Sequence, residues 1–282
     1  MAGIFDGIDH CVILVRDLNV ARDRMAQLGF TVTPRGIHSD HMGTANHCMM
    51  FNNAYFEILG ICEPTEFNAA WRSKIERREG LEAVPLASGN IDALRNKLAE
   101  RGISLPEAID FSRPVDLPEG TTEAIFRLIM IPSELTPNIT MFVIQHFTRD
   151  VVWHRDYLNH ANGAIGVRGV TAVHEQPQEV VPAYERLFGS NAVSIAGNGV
   201  RIDTGKGDIH FVKSSEFANR FPDVSPDPSA NAPYLAALSL DVADRILTAD
   251  YLNNHGVPHI VLPRGTLCVP PLDACGTLIE FV

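Results

Sequence analysis

Two polar side chains near the start of the chain stand out against apolar surroundings: His10, in the run 8–15, and Glu57, in the run 55–61. Both runs read as strands, in which successive residues face opposite sides. His10, Val12 and Leu14 therefore share one face of the first, and Tyr55, Glu57 and Leu59 one face of the second. Burying a bare carboxylate in so apolar a strand would cost several kcal/mol. Glu57 must be exposed on a concave wall, paired with a base, or bound to a cation. A metal ion would satisfy His10 and Glu57 together.

Positioning these residues requires a scaffold, and the sequence repeats one. Residues 18–29 carry Leu18, Ala21, Met25 and Leu28 at the spacing of one helical face and end on Gly29, which can take the left-handed C-cap conformation. Comparable stops occur at Gly102, Gly189 and Gly256. A short strand precedes each helix, at 9–15, 81–87, 169–173 and 234–240, and two or three β-rich stretches follow each stop. In the first copy these stretches are 30–33, 44–51 and 55–61, with Asn52-Asn53 where a two-residue hairpin needs residues tolerant of positive φ. Each unit reads β-α-β-β-β.

Four such units in 282 residues fit two double-unit domains better than four independent ones. One curled four-stranded sheet with a single helix buries too little to stand alone. The expected fold class is α+β, with four βαβββ modules paired into two cup-shaped half-barrels. Residues 1–150 form the first cup and 164–282 the second, joined by 147–163. Residues 217–233, with four prolines among Asp, Ser and Asn, read as a linker between the third and fourth units. Residues 105–120 read as a long loop within the second.

Composition narrows the function. The chain is 45% hydrophobic and 20% charged, enough for a large core, and no apolar run approaches the roughly 20 residues needed to span a bilayer. The opening Met-Ala-Gly-Ile-Phe-Asp has no basic start, apolar stretch or cleavage site, so no secretory signal is expected. Five cysteines without a Cys-x-x-Cys argue against a disulfide framework and against a thiolate zinc site. Cys11 and Cys48, in predicted strands, read as small core residues. A net charge of -11 disfavours nucleic acid and anionic membranes, which both need a positive surface. The one basic cluster, Arg72 to Arg78, reads as a solvated helix face.

The motif Ile8-Asp9-His10, the run Val12-Ile13-Leu14-Val15-Arg16-Asp17-Leu18, the helix end Leu28-Gly29-Phe30, Gly43-Thr44-Ala45-Asn46 and Tyr55-Phe56-Glu57 together resemble the vicinal oxygen chelate superfamily, in its glyoxalase-like domain branch. The resemblance implies paired modules forming a cup, with metal ligands on the first and fourth strands of each. It implicates His10 and Glu57 as ligands. The activities it implies range from glyoxalases, epimerases and ring-cleaving dioxygenases to thiol transferases and metal-free drug-binding proteins.

The partner module departs from that pattern. Aligning Ile91 with Leu18 puts Ala83, which has no donor atom, where His10 stands. Its last strand ends in Gln145-His146, and His146 is the imidazole expected to complete the site. Two histidines and one carboxylate with open positions is the arrangement of non-haem Fe(II) oxygenases. If Gln145 faces inward instead, a weaker oxygen ligand favours a Lewis-acid metal. His47 is expected to serve as a catalytic base or further ligand, and His38 and His41 to lie in a loop at the cup mouth. In the second half Gly169 and Tyr234 replace the first-strand histidine, so that half reads as structural or substrate-covering, with Tyr234, His210 and Glu280 as the alternative working group. Extradiol dioxygenases share the four-module architecture but place their metal in the C-terminal pair, whereas here the candidate ligands favour the N-terminal pair.

The expectation is a cytoplasmic, metal-dependent enzyme that acts on a small oxygenated molecule. First choice is an Fe(II) dioxygenase of a catechol-like or keto-acid compound. Second is a lyase or isomerase using Zn, Mn, Ni or Co with a base such as His47. Third is a metal-free binding or resistance protein. A homodimer is compatible with all three.

Overall fold

In the computed structural model, residues 4–117, 120–222, 224 and 232–282 are described. The first quarter holds β1 (His10–Leu14), α1 (Leu18–Gln27), β2 (Gly36–Ile37), β3 (Thr44–Met50) and β4 (Tyr55–Ile61), followed by α2 (Ala69–Arg77). The second holds β5 (Gly80–Ala83), β6 (Leu86–Ala87), α3 (Ile91–Ala99), β7 (Ile109–Leu117), β8 (Gly120–Met130) and β9 (Phe142–His146), with one helical turn, α4 (Arg149–Val152), after it. Next come β10 (Ala164–Val173), α5 (Val181–Phe188), β11 (Val193–Ala196), β12 (Gly199–Asp203), β13 (Asp208–Val212) and α6 (Ser214–Arg220). The chain closes with β14 (Tyr234–Val242), α7 (Arg245–Asn254), β15 (Ile260–Val261), β16 (Leu267–Val269) and β17 (Leu278–Phe281).

One pairing recurs in every quarter: the last strand returns to lie parallel beside the first, as β1 with β4, β6 with β9, β10 with β13 and β14 with β17. The sheets run β2-β3-β4-β1-β5, β6-β9-β8-β7 and β11-β12-β13-β10-β14-β17-β16-β15. A parallel return needs a long crossover, and the helix supplies it. Local chemistry sets the helix bounds. Asp17 accepts from the amides of Asn19 and Val20 at the start of α1, Asn90 caps α3 through Ala93, and Asp244 caps α7 through Ile246. All four expected glycine stops take positive φ: Gly29 at 89°, Gly102 at 70°, Gly189 at 97° and Gly256 at 62°.

Two expectations are corrected. Within the expected loop, residues 109–117 are a strand, because β7 forms a long antiparallel pair with β8. Pro114 and the charged residues that obscure this strand are tolerated because β7 is a sheet edge. The basic cluster is not simply solvated. Lys74 on α2 bonds Thr140 Oγ1 at 2.7 Å and Glu82 at 3.2 Å, and buried Arg78 reaches Glu82 and the Leu235 carbonyl. The expected linker at 217–233 begins in α6, and its residues 223 and 225–231 lie outside the described residues.

The helix-facing sides of the sheets share one apolar cluster that contains Ile13 and Met25 from the first quarter, Leu94 from the second, Leu187 from the third and Leu252 from the fourth. The rings of Phe30 and Phe281 stack within it at 6.1 Å. Among the described residues no helix is long and apolar enough to cross a membrane.

Candidate functional site

The alternation read from sequence places His10 and Glu57. Cys11, Ile13 and Val15 on one side, with Phe56 and Ile58, belong to the large helix-facing cluster. Val12, Leu14 and Leu59 lie on the other face, and His10 and Glu57 share it. The parallel register sets Tyr55 opposite His10 and Glu57 opposite Val12, so the histidine and glutamate are diagonal neighbours. Nε2 of His10 lies 4.0 Å from Oε1 of Glu57. The Tyr55 ring stacks on the imidazole at 4.5 Å, and Asn46 Nδ2 donates to Glu57 Oε2.

Asp9, 3% exposed, fixes the histidine. Its Oδ1 lies 2.7 Å from His10 Nδ1 and 3.2 Å from His146 Nε2. Burial alone would raise the Asp9 carboxyl, but the imidazoles of His146 and His10 outweigh it and hold the group well below the ordinary carboxylate range. An ionised carboxylate only accepts hydrogen bonds, so His10 carries its proton on Nδ1 and, when neutral, turns the lone pair of Nε2 toward Glu57.

The pair lies on the wall of a cavity of about 290 Å³, formed between the first sheet and the sheet containing β8 and β9. Its walls are mostly aromatic and aliphatic, including Tyr55, Trp71, Phe111, Phe126 and Phe142. Helix α2 covers one side with Trp71 and Lys74. His38 also lines the cavity, bonded to Thr44 Oγ1 at 2.7 Å, and burial lowers its pKa to about 4. Arg113, from β7, enters the cavity over the Phe126 ring at 5.9 Å and makes no hydrogen bond or ion pair with any described residue.

The structure brings together His10 and Glu57, but not the full expected set. His146 is on the same face of β9 as the cavity residues Phe142 and Ile144, yet its Nε2 meets Asp9, its ring packs edge-on against Phe126 and Trp153, and it does not line the cavity. Gln145 faces the helix side, where its Oε1 accepts from the Ile91 amide. His47 points away from the cavity, bonding the Thr33 carbonyl through Nδ1 at 2.8 Å. The hairpin carries the reason: the turn at residues 52–53 pairs Cys48 with Glu57 and His47 with Ile58, so His47 shares the helix-facing side with Ile58. His41 is exposed against Phe67. In the second half, Glu280 is taken up by Arg220 at 2.7 Å and by Ser239, while His210 lies 3.8 Å from Asp208. Sequence reasoning did not reach Arg113 or Asn46, nor Asp9 as the bridge between imidazoles. Asn46 follows from the hairpin register, while Asp9 and Arg113 depend on contacts between distant strands.

The donors present fit a metal poorly. The second-quarter positions that correspond to His10 and Glu57 are Ala83 and Phe142, neither with a donor atom. His10 and Glu57 give two donors, and His38, held to Thr44, does not close with them into a group of three, the number of protein ligands of a typical catalytic ion. Among the described residues no group of three or more His, Cys, Asp or Glu could hold one.

A family model for the glyoxalase-like domain matches residues 8–188, more than half of the chain. No curated protein matches by sequence. Among solved structures, a hypothetical protein from Staphylococcus aureus is similar with a TM-score of 0.68 at 12% identity, covering 98% of this chain and 98% of that one. A mutant of 4-hydroxymandelate synthase from Streptomyces coelicolor is similar with a TM-score of 0.59 at 10% identity, covering 98% of this chain and 92% of its own. Methylmalonyl-CoA epimerase from Mycobacterium tuberculosis matches 51% of this chain and 91% of its own at 16% identity, with a TM-score of 0.39. The first two share this fold along nearly the whole chain.

Proposed function

The chain belongs to the glyoxalase-like domain family, within the vicinal oxygen chelate superfamily, and we propose that it is an enzyme that moves a proton beside a carbonyl in a compact, largely apolar organic acid. The reaction class is isomerase or lyase. One observation carries the reading: His10 Nε2, its other nitrogen committed to Asp9, faces Glu57 at 4.0 Å on the cavity wall. On this reading the four repeated units pair as two cups, residues 1–150 forming the reactive one.

His10 Nε2 takes the substrate proton, and the Asp9 carboxylate stabilises the imidazolium so formed. Glu57, with Oε2 held by Asn46, offers Oε1 to the same space as the second proton carrier. Acid–base groups so placed contribute about 10²–10⁴-fold each. Arg113 supplies the positive charge for the substrate's carboxylate or developing enolate, in surroundings apolar enough to strengthen it. The cavity volume, at the low end of small-molecule sites, suits a compact substrate.

Iron-dependent oxygenation, or lyase chemistry on Zn, Mn, Ni or Co, would need a third ligand, and His146 is turned to Asp9. The test is proton exchange. Chelator-treated protein is incubated in D2O with short 2-oxo and 2-hydroxy acids bearing alkyl or aryl groups, and loss of the C–H signal beside the carbonyl is followed by NMR. Exchange that falls at least about 100-fold in His10→Gln is the expected result. Binding without exchange points to a sequestering protein. One equivalent of divalent metal that survives chelation and disappears in His10→Gln restores a metal enzyme.

A further inference from the structure

The second half has its own cavity, of about 760 Å³, on which four arginines converge from separate elements. Arg168 comes from β10, Arg220 from the end of α6, Arg245 from the start of α7 and Arg264 from the turn between β15 and β16. Against these guanidiniums the lining holds two carboxylate side chains, Asp208 and Glu280, in a chain whose net charge is -11. Such a local excess of positive charge runs against the whole molecule.

The pairing within the cavity leaves specific groups over. Arg220 Nη2 lies 2.7 and 2.9 Å from the two oxygens of Glu280, which also accepts from Ser239 Oγ, so this acid is neutralised. Asp208 is held by Arg201 at 2.8 Å, and Arg168 pairs with Asp241. Arg245 and Arg264 form no ion pair with any described residue. Arg245 Nη1 instead donates to the Arg264 carbonyl at 2.9 Å, which joins the helix start to the hairpin turn and keeps the two cationic residues together.

Arg245 is also the first residue of the ten-residue α7, where a positive side chain opposes the helix dipole. Two guanidiniums without an ion pair among the described residues, one of them at a helix end that favours anions, are an arrangement that an anionic ligand would relieve. Thr171, Ser239 and Thr266 add hydroxyl groups to the lining.

We propose that this second cavity binds a small multivalent oxyanion, of the phosphate-ester or polycarboxylate class, with Arg245 and Arg264 as its principal contacts. The site is separate from the first cavity and does not depend on the reaction assigned there. It replaces proton chemistry in the second half with charge recognition, because Glu280 is already spent on Arg220.

Calorimetric titration of the full chain with pyrophosphate and with citrate, at low ionic strength, tests it. Saturable binding of one equivalent is expected, weakened at least about tenfold by R245Q and by R264Q, since a hydrogen bond to a charged group is worth about that much. R113Q, in the other cavity, should leave it unchanged. Tighter binding of pyrophosphate assigns a phosphorylated ligand, and tighter binding of citrate a polycarboxylate. Both side chains are exposed, so the variants should keep the native melting temperature. Absence of saturable binding by both probes, binding unaltered in the R245Q/R264Q double variant, or loss of binding in R113Q would overturn the proposal.

Discussion

Nε2 of His146 lies 3.2 Å from Oδ1 of Asp9, a contact that ties the last strand of the second repeat to the residue immediately before His10. The same oxygen holds His10 Nδ1 at 2.7 Å. His146 therefore reaches the site through Asp9, supporting the orientation of His10 from behind while its own Nδ1 stays buried without a hydrogen-bond partner among the described residues.

Replacing Asp9 should uncouple orientation from presence. In D9N the side chain keeps its size but loses the charge that holds both imidazoles, so the tautomer of His10 is no longer imposed. Proton exchange is expected to fall about 10²–10⁴-fold, the range associated with general-base catalysis. H146F should cost less activity, because Asp9 and His10 remain, yet leave a buried carboxylate short of one partner. Urea denaturation should then show a loss of about 3 kcal/mol, the scale for breaking a buried charged pair. Full activity in D9N would remove the Asp9–His10 pair from the mechanism.

Arg113 offers a cleaner separation of binding from folding. It bonds no described residue, so R113Q should melt within a few degrees of the parent. A charge-assisted contact to a substrate oxygen is worth about 1.5–3 kcal/mol, which predicts binding about 10–100-fold weaker for carboxylate substrates. Neutral analogues should be unaffected. Equal effects on acids and on neutral analogues would assign Arg113 to the wall alone.

How much of this was legible follows from which interactions are local. The shared face of His10 and Glu57 could be read because a period of two with one polar residue among apolar ones leaves a single arrangement for each strand. The glycine stops were equally local: Gly29 and Gly102 do adopt the positive φ that their position demands. His47, expected as a catalytic base or further ligand, lies on the helix-facing side, because the register set by the turn at Asn52-Asn53 opposes it to Ile58. Asp9 was visible only as part of a motif, since its second partner is 137 residues away. The strand β7 was hidden by Pro114, whose missing amide matters only if a neighbour needs it, and an edge has none.

The two halves are also joined by a side chain that imitates a strand. Asn53 Nδ2 donates to the Val167 carbonyl at 2.8 Å, and Val167 N donates back to Asn53 Oδ1 at 3.2 Å, beside the irregularity in β10 between Val167 and Gly169. N53A leaves two backbone groups unpaired and should cost about 1–3 kcal/mol in urea denaturation. The neighbouring N52A, at an exposed position, should change stability by less than about 0.5 kcal/mol. Equal effects of the two would mean that the Asn53 bridge contributes nothing to joining the halves.

His38 sets an acid limit on stability. Burial in the cavity wall lowers its pKa from 6.5 to about 4, so the unfolded chain binds a proton at this position over a range in which the folded chain does not. Between those values the unfolded state holds more protons, and stability rises with pH. The sign is therefore fixed: the His38 contribution is complete above about pH 6.5, declines as the pH falls, and levels off below about pH 4. A polar side chain that cannot titrate removes this slope. H38Q should consequently gain on the parent by on the order of 2 kcal/mol between pH 7 and pH 4, whatever its offset at neutral pH. Denaturant midpoints measured for both proteins across that range give the difference directly. Parallel curves would show that His38 already titrates in the folded protein as it does in the unfolded chain.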